Sequence, residues 1–420
     1  MEILKFQSGK LCFEGVELGQ ILKNEATPFY LYSEAEILRR LQRLQSAFEE
    51  VGLPCALHYS VKANPLLGIL NLVNDAGHGF DVVSLGEALR CLQVGAKADQ
   101  IVFSGSGKSK AEIEFAIQHQ IRMINVESES ELMDVIEVAK HLGKKAPVAL
   151  RINPNVDALT HEYITTGTHD TKFGVSLNRA LHLYFKYQNE ASLNWVGLDM
   201  HIGSQLTETA PIEKALQIFA GVTKDLIEKG FKIRYLDIGG GLGVAYSNEN
   251  VISEKHFAKM IKSAFSGMDL SQSKILIEPG RFVVAPAGVL VSKVLHVKTQ
   301  ASKKFLILDC GMGELIRPAL YQAHHDITAL KTHDPSLSET YTVVGPICES
   351  TDVFAEDRNF PKMEKGDPVV ICDAGAYGVS MESSYNSRPR TAQILLKSDS
   401  SLKTIRAREP LNDLWRLESF

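Results

Sequence analysis

Lys62 is the residue whose position in the sequence most strongly suggests chemistry. It ends the apolar run Cys55–Val61, CALHYSV, whose composition predicts a buried strand. The segment after Pro65 has helical periodicity, so Lys62 is predicted where the strand gives way to a loop. A lysine at such an apolar mouth loses its proton readily, because desolvation disfavours the charged form, and an uncharged amine can form an imine. The alternative is a solvated lysine just past a strand.

Polar side chains recur at the carboxyl ends of the predicted strands. One polar residue at a strand end would mean little, but a reactive group at nearly every end is the pattern of an active site in a barrel of parallel strands. The residues concerned are Lys62, Asp81, Ser104, Glu127, Arg151, His201 with Ser204, and Glu278 with Arg281.

A glycine-rich loop, IGGGLG at Ile238–Gly243, follows the seventh predicted strand. Consecutive glycines such as Gly240 and Gly241 let backbone N–H groups approach and bind an anion. The loops after strands seven and eight form the usual phosphate site of a (β/α)8 barrel, so we expect phosphate to bind here. The alternatives are a dinucleotide-binding turn and a plain tight turn, although the glycine spacing fits GxGxxG poorly.

The lysine, the glycine loop and an acid together indicate pyridoxal 5'-phosphate as the cofactor. That cofactor needs an imine-forming lysine, a phosphate cradle and an acidic partner for its pyridine nitrogen. Lys62, the glycine loop and Glu278, in ILIEPGR, supply these three parts. His201, in HIGSQ, is then expected to lie on the cofactor ring, and a buried structural histidine is the alternative.

The order of the predicted elements favours a (β/α)8 barrel, because eight short strands alternate with helical segments over roughly 250 residues. An open doubly wound sheet is the alternative, but its glycine-rich turn usually follows the first strand. The predicted strands are Cys55–Ser60, Phe80–Val83, Ile101–Ser104, Met123–Val126, Val148–Ile152, Trp195–His201, Tyr235–Ile238 and Ile275–Glu278.

The domain boundaries follow from where this alternation begins and ends. We assign 27–284 to the barrel and 285–420 to an all-β domain, because strands follow one another there without long helices. Residues 1–26 also have strand-rich character and are expected to join the β domain. The predicted fold class is therefore α/β plus all-β, a TIM-like barrel followed by a β-barrel or sandwich.

The composition is that of an ordinary globular protein. Of the 420 residues 45% are hydrophobic and 23% are charged, and 45 basic against 50 acidic residues give a net charge of −5. This balance does not predict a nucleic-acid partner, and no apolar run is long enough to predict a membrane span. The six cysteines lack the spacing of a zinc site or a disulfide framework, and no signal peptide is predicted. We therefore expect a cytoplasmic protein without a metal site.

Nine motifs together resemble those of the fold-type III pyridoxal-phosphate decarboxylases, the alanine-racemase-like family. The resemblance runs from Thr27 to about Arg390 and is strongest toward the members that convert meso-2,6-diaminopimelate to L-lysine and CO2, the last step of lysine biosynthesis. It implies a head-to-tail homodimer with shared active sites at the subunit interface. The motifs are HYSVKANP, FDVVSLGE, FSGSGK, LRINPNVDALTHEYITTGTHDTKFG, HIGSQ, DIGGGLGV, EPGR, GPICESTD and DAGAYG.

The resemblance also implies a role for each matching residue. Lys62 matches the lysine that holds the cofactor, and His201 matches the residue stacked on its ring. Cys348 and Glu349, in GPICES, match a pair brought from the partner subunit. Further cofactor contacts are implied for Asp81, Arg151, Ser204, Gly240, Gly241, Glu278, Gly280, Arg281 and Tyr377, and substrate contacts for Arg281, Arg317, Tyr321, Glu349 and Tyr377.

Elementary chemistry supports these roles, because the substrate carries a second amino-acid head group at its far end. Arg281 and Arg317 can grip the distal carboxylate bidentately, and Glu349 can pair with the distal ammonium. Loss of CO2 leaves a carbanion that a proton donor must quench, and Cys348 is the candidate donor. A small buried hydrophobe is the alternative interpretation of Cys348.

Three other functions remain open from the sequence. A sibling decarboxylase would act on ornithine, arginine, lysine or carboxynorspermidine, but those relatives commonly carry an aspartate where this chain has Glu349. A catalytically silent homologue would be expected to lack Lys62 or Cys348, and both are present. A nicotinamide-dependent dehydrogenase fits the glycine spacing poorly.

Overall fold

The structure, a computed structural model, describes residues 3–157, 172–247, 249–331 and 338–419. The chain divides into two compact units. The barrel unit comprises Leu38–Val244 and Asn250–Phe282. The β unit comprises Met1–Ile37, Ala245–Glu249 and Val283–Phe420.

The strands of the described chain are β1 Leu4–Gln7, β2 Lys10–Phe13, β3 Val16–Glu17, β4 Phe29–Ser33, β5 Cys55–Ser60, β6 Gly79–Val82, β7 Ile101–Phe103, β8 Met123–Val126, β9 Ala146–Asn153, β10 Val175–Ser176, β11 Leu193–Met200, β12 Tyr235–Asp237, β13 Lys274–Ile277, β14 Gly288–Gln300, β15 Lys303–Leu308, β16 Ile327–Ala329, β17 Ser338–Val344, β18 Val353–Pro361, β19 Pro368–Ile371, β20 Ala392–Leu396 and β21 Leu402–Arg406. The helices are α1 Leu18–Ile21, α2 Glu34–Glu50, α3 Leu67–Asp75, α4 Leu85–Gln93, α5 Lys110–Gln118, α6 Glu129–Leu142, α7 Leu177–Lys186, α8 Thr209–Glu228, α9 Glu254–Ala264, α10 Arg281–Val284 and α11 Arg317–Tyr321.

Eight parallel strands close into a ring in the barrel unit. Their order is β5-β6-β7-β8-β9-β11-β12-β13, and β13 pairs with β5 through Ile275 and Cys55 to complete the circle. The predicted TIM-like barrel is therefore confirmed, with each strand within two residues of its predicted bounds. Buried apolar side chains fill part of the interior, as this closed fold requires: Val102, Met123, Ala149, Val196 and Leu276.

Serine caps fix where several of the barrel helices begin. The hydroxyl oxygens of Ser84 and Ser128 accept hydrogen bonds from the backbone N–H groups three residues on, at the starts of α4 and α6. A glutamate stands three residues after each serine, which is the spacing typical of a helix start. Ser109 and Glu112 form the complete reciprocal box at the start of α5. Each helix thus begins at a set distance from the preceding strand end, where the polar residues lie.

The β unit contains a mixed sheet with the strand order β18-β17-β15-β14-β4-β20-β21. The sequence had assigned residues from 27 onward to the barrel, but β4 pairs with β14 and β20 and belongs to this sheet. All five residues of β4, FYLYS, are buried, and Phe29 and Leu31 belong to the apolar cluster of the β unit. We therefore place the beginning of the barrel within α2.

The N-terminal strands β1, β2 and β3 form a small antiparallel sheet of their own. Its buried side chains Leu11 and Phe13 belong to the same apolar cluster as Leu31 and Ile394 of the large sheet. The segment therefore packs with the β unit without extending its main sheet.

No helix among the described residues has the length and apolar character needed to cross a membrane.

Candidate active site

Lys62 lies just past the end of β5, in a short 3-10 turn, and forms an ion pair with Asp81. Its Nζ is 2.9 Å from Oδ2 of Asp81, whose side chain is fully buried, while the lysine side chain is 35% exposed. The ammonium therefore lies between a buried carboxylate and solvent. This is the position of an amine that remains reachable while the barrel fixes its location.

Asp81 is held as a carboxylate by its surroundings. Burial disfavours its charge, but the Lys62 ammonium and hydrogen bonds from nearby groups outweigh that effect and hold the pKa of Asp81 below its ordinary value. The Ser60 hydroxyl contributes one of these bonds, at 3.1 Å from Asp81 Oδ2. The pair therefore carries both charges in the folded barrel.

Three further carboxyl groups meet inside the barrel below Lys62. Oxygen atoms of Asp199, Asp237 and Glu278 lie within 4.8 Å of one another, and all three residues are buried. The hydroxyl of Ser104 donates to Glu278 Oε1 at 3.3 Å. Glu278 was predicted from the sequence, whereas the two aspartates were not.

Burial and mutual repulsion raise the pKa values of this carboxyl cluster. Burial raises the pKa of Glu278 well above its ordinary range, and the neighbouring aspartates add to the shift. Burial raises the pKa of Asp237 to about 6, and burial together with the Asp237 charge raises the pKa of Asp199. Such a cluster favours a cationic group at Glu278, because that group would compensate charges that the protein interior does not.

The glycine loop after β12 curves against His201. Gly239 has φ of +72°, and a Cβ atom there would lie 2.6 Å from Nδ1 of His201. The backbone N–H of Gly240 donates to that same Nδ1 at 3.1 Å, so the ring proton of the neutral histidine is on Nε2. Burial and the charges of Arg151 and Lys62 lower the pKa of His201 well below its usual value. His201 is therefore a neutral ring.

Ser204 and Arg281 meet near the same loop. The Nη2 and Nε groups of Arg281 donate to Ser204 Oγ at 3.1 and 3.4 Å. Gly280 precedes this arginine, and a Cβ atom on it would lie 3.0 Å from the Cβ atoms of Ser60 and Ala63. The segment after β13 therefore runs closely beside the lysine turn, and both are fixed by their contact.

Arg151 forms a buried ion pair with Glu127, Nη1 to Oε1 at 2.9 Å, with side chains 8% and 2% exposed. Its guanidinium also lies 4.8 Å from the centroid of the Phe173 ring. The second Glu127 oxygen accepts the backbone N–H of Gly174 at 3.1 Å. Both described ends of the motif that begins at Leu150 therefore contact this ion pair. Residues 158–171 of the motif lie outside the described part of the chain.

The remaining predicted residues belong to the β unit. Arg317 and Tyr321 are the first and last residues of α11, and Arg317 donates from Nη1 to His325 Nε2 at 2.8 Å. The guanidinium carbon lies 4.5 Å from the centroid of the Tyr246 ring. Tyr377 has φ of +57°, an uncommon backbone conformation for a tyrosine that fixes the course of its loop.

Cys348 and Glu349 lie together on an exposed turn of the β unit. Asp352 organises this turn, because its buried carboxylate accepts backbone N–H groups of Ile347 and Met312 at 2.7 and 2.6 Å. The backbone N–H of Cys348 donates to Asn386 Oδ1 at 2.7 Å. The exposure of Cys348 excludes the alternative that it is a buried hydrophobe.

The barrel unit therefore brings most of the predicted residues into one ring, while the others are held within the β unit. The members of the ring are Lys62, Asp81, Arg151, His201, Ser204, Gly240, Gly241, Glu278, Gly280 and Arg281. Asp199 and Asp237 could have been found from the sequence, which held a usable signal, since each is an aspartate near the end of an apolar strand. It gave none for His325.

The barrel and its ring define the class of protein. Residues 34–285 match the pyridoxal binding domain of the pyridoxal-dependent decarboxylases, so the chain is a pyridoxal-phosphate-dependent lyase. Comparison with full-length relatives narrows the class. The chain is 43% identical over 399 residues to a diaminopimelate decarboxylase of Helicobacter pylori, covering 95% of this chain and 97% of that protein.

A diaminopimelate decarboxylase of Vibrio cholerae is likewise 43% identical over 423 residues, covering 100% of this chain and 99% of that protein. The crystal structure of the Helicobacter pylori enzyme complexed with L-lysine superposes with a TM-score of 0.91 at 43% identity, covering 96% of this chain and 99% of that one. The chain belongs to the diaminopimelate decarboxylase family.

Proposed function

We propose that this chain decarboxylates meso-2,6-diaminopimelate to L-lysine and CO2, the last step of lysine biosynthesis. The observation that carries the proposal is the Lys62–Asp81 pair beside the glycine loop and the buried acids, in a chain that matches its relatives over almost its whole length. Residue roles are assigned below on that basis.

The ring fits pyridoxal 5'-phosphate in three respects. Lys62 is partly exposed, so an aldehyde can reach its amine; the Asp81 carboxylate favours the ammonium form, so the amine must give up its proton before it forms an imine. Gly239 and Gly241 have positive φ, and the loop after β12 has no side chains over 239–241, so an anion could approach its backbone closely beside His201. Burial and the neighbouring aspartates disfavour the carboxylate form of Glu278, and a cationic ring nitrogen beside it would offset that cost. Lys62, His201, Ser204, Gly240, Gly241, Glu278 and Arg281 would hold the cofactor, with Asp81, Arg151, Gly280 and Tyr377 as further contacts.

When bound, the cofactor supplies an electron sink for the pair of electrons left when CO2 departs. The chain must then do two things. It must bind the distal amino-acid head of the substrate, for which Arg281, Arg317, Tyr321, Glu349 and Tyr377 are the proposed contacts. It must also return a proton to the carbon that lost CO2, for which the exposed thiol of Cys348 is the proposed donor.

A direct test is to incubate the cofactor-loaded enzyme with meso-diaminopimelate and measure L-lysine and CO2 in equal amounts. Ornithine, arginine, lysine and carboxynorspermidine serve as competing substrates. We expect turnover of meso-diaminopimelate to exceed that of each alternative by at least about a hundredfold, because they lack the distal carboxylate or place it differently. Preferential release of CO2 from ornithine or lysine would instead support a sibling decarboxylase.

We further propose a cytoplasmic homodimer with shared active sites. The six cysteines are all free thiols, which suits a reducing compartment.

The exposed Cys348 and Glu349 would complete the site of the partner subunit. If so, mixing inactive Lys62→Ala and Cys348→Ala subunits should restore about a quarter of wild-type activity, since half the dimers are mixed and each has one intact site. No recovery after proven subunit exchange would contradict a shared site.

A further inference from the structure

We propose that His325 is a positioning residue that fixes the Arg317 guanidinium for the distal carboxylate of the substrate. This inference rests on the proposed function and deepens it, because it names a residue on which substrate selectivity would depend. His325 itself would not touch the substrate. It would act through Arg317, which it contacts directly within the β unit.

The hydrogen bonds of His325 determine which ring nitrogen carries the proton. Its Nδ1 lies 2.7 Å from the backbone carbonyl oxygen of Cys372, which can only accept, so Nδ1 carries the hydrogen. In the neutral ring Nε2 is then an acceptor, and it receives the Nη1 N–H of Arg317 at 2.8 Å. One tautomer of the neutral imidazole satisfies both contacts, and that tautomer orients the guanidinium.

Tyr246 provides the second constraint on Arg317. The guanidinium carbon lies 4.5 Å from the tyrosine ring centroid, and the rings of Tyr246 and His325 meet edge to face at 5.3 Å between centroids. Arg317, His325 and Tyr246 are 5%, 1% and 5% exposed. The guanidinium is thus held by a ring face and by a ring nitrogen, in a cluster that excludes most solvent.

The backbone on each side of this cluster is also restrained. Pro318 follows Arg317 in the first turn of α11, and Gln322 ends the helix in the left-handed conformation with φ of +52°. The backbone at Arg317 is therefore restrained and can do little to reposition the guanidinium. Since bidentate binding of a carboxylate depends on the plane of the guanidinium fork, a residue that sets that plane should affect binding of that carboxylate selectively.

A series of substitutions at His325 separates the two hydrogen bonds. Gln can place an acceptor near the position of Nε2, Asn can place a donor near that of Nδ1, and Phe retains the ring without either group. His324 is the matched control, because its ring contacts Arg358 and Asp326. The probes are meso-diaminopimelate as substrate, L-lysine as an inhibitor that keeps the distal carboxylate, and 1,5-diaminopentane as an inhibitor that lacks it.

For the cofactor-loaded His325→Phe enzyme we expect KM for meso-diaminopimelate and Ki for L-lysine both to rise by about tenfold, the loss of one charge-assisted hydrogen bond. The kcat and the Ki for 1,5-diaminopentane should stay within about twofold of wild type. His325→Gln should recover most of the lost affinity, and His325→Asn should recover less, because only Gln restores the bond to Arg317. His324→Gln should leave all four constants unchanged.

A His325→Phe or His325→Asn enzyme with wild-type KM and Ki for L-lysine would overturn the proposal while leaving the proposed function intact. An equal loss for 1,5-diaminopentane would also overturn it, because that result indicates a purely structural histidine. The parent proposal is tested separately by Arg317→Ala. If the wild type does not decarboxylate meso-diaminopimelate, the proposed function and the role of His325 both fail. If the wild type does so but Arg317→Ala has an unchanged KM, only the roles of Arg317 and His325 fail.

Discussion

The polar residues of the barrel unit and those of the exposed turn in the β unit differ in how they are held. In the barrel, Lys62 pairs with Asp81 and Arg151 with Glu127, and the acid of each pair is buried. On the turn, Cys348 and Glu349 are exposed, and the bonds that order the turn come from Asp352 and the backbone.

The two groups of residues therefore differ in how much they contribute to the stability of the fold. A buried charge is tolerated only with its partner, so the barrel residues serve folding and chemistry together. The exposed turn residues are ordered by neighbours and contribute little to folding themselves. Substitutions in the barrel should therefore change stability and activity jointly, whereas substitutions on the turn should change activity alone.

The largest effect is expected for Lys62→Ala. Removing the amine eliminates the imine-forming group and leaves Asp81 buried without its cation, so kcat should fall by about a thousandfold or more. The absorbance of the imine-linked cofactor should disappear with it. Turnover at the wild-type rate in this variant would show that Lys62 takes no part in the reaction.

Glu127→Ala should have the next largest effect, and it should appear in stability. The substitution leaves Arg151 buried without its partner, which typically costs about 3–5 kcal/mol in the free energy of unfolding. Urea denaturation measures this change. Glu137→Ala, which removes an exposed partner of Lys110, is the control and should show no measurable change. Equal effects of the two substitutions would contradict the contrast between buried and exposed pairs.

Cys348→Ala tests the other side of the comparison. We expect kcat to fall by about a hundredfold, because the proposed proton donor is lost. The free energy of unfolding should change by less than about 0.5 kcal/mol, because the thiol is exposed, and cofactor absorbance should be retained. A variant that unfolded more easily or lost its cofactor would place Cys348 with the barrel residues instead.

The smallest effect is a pH dependence from Asp237. Because its pKa is raised from 3.8 to about 6, the folded protein binds more protons than the unfolded chain between these values, and stability from this group falls as pH rises through that window. Asp237→Asn should therefore stabilise the cofactor-free protein more at pH near 7 than at pH near 4, as judged by Tm.

Asp225→Asn, an exposed aspartate on α8, is the control for that measurement and should show no such trend. A wild-type pH profile in the Asp237→Asn protein would mean that the neighbouring carboxyl groups, not Asp237, hold the proton in this window.

The sequence predicted the barrel well because each strand was short, apolar and followed by a helix with a recognisable start. In the β domain, β18 and β21 carry charged residues that weaken the strand pattern. The strand β4 was assigned to the barrel because its partners β14 and β20 are distant in sequence. Residues at strand ends could be predicted as a ring because parallel strands align their ends. His325 could not, since its role depends on a contact with a side chain and a carbonyl that only the folded loop brings together.

The open sheet of the β unit has a consequence for aggregation. Each barrel strand is paired on both sides by closure, but the large sheet ends at β18 and β21. An unpaired strand edge is a template for association between chains, and natural proteins blunt it with charge and proline. The strand β18 carries Glu356, Asp357 and Arg358 and ends at Pro361, and β21 carries Lys403 and Arg406. Charged residues at such edges oppose association, so neutralising them should make the protein prone to edge-to-edge assembly at high concentration.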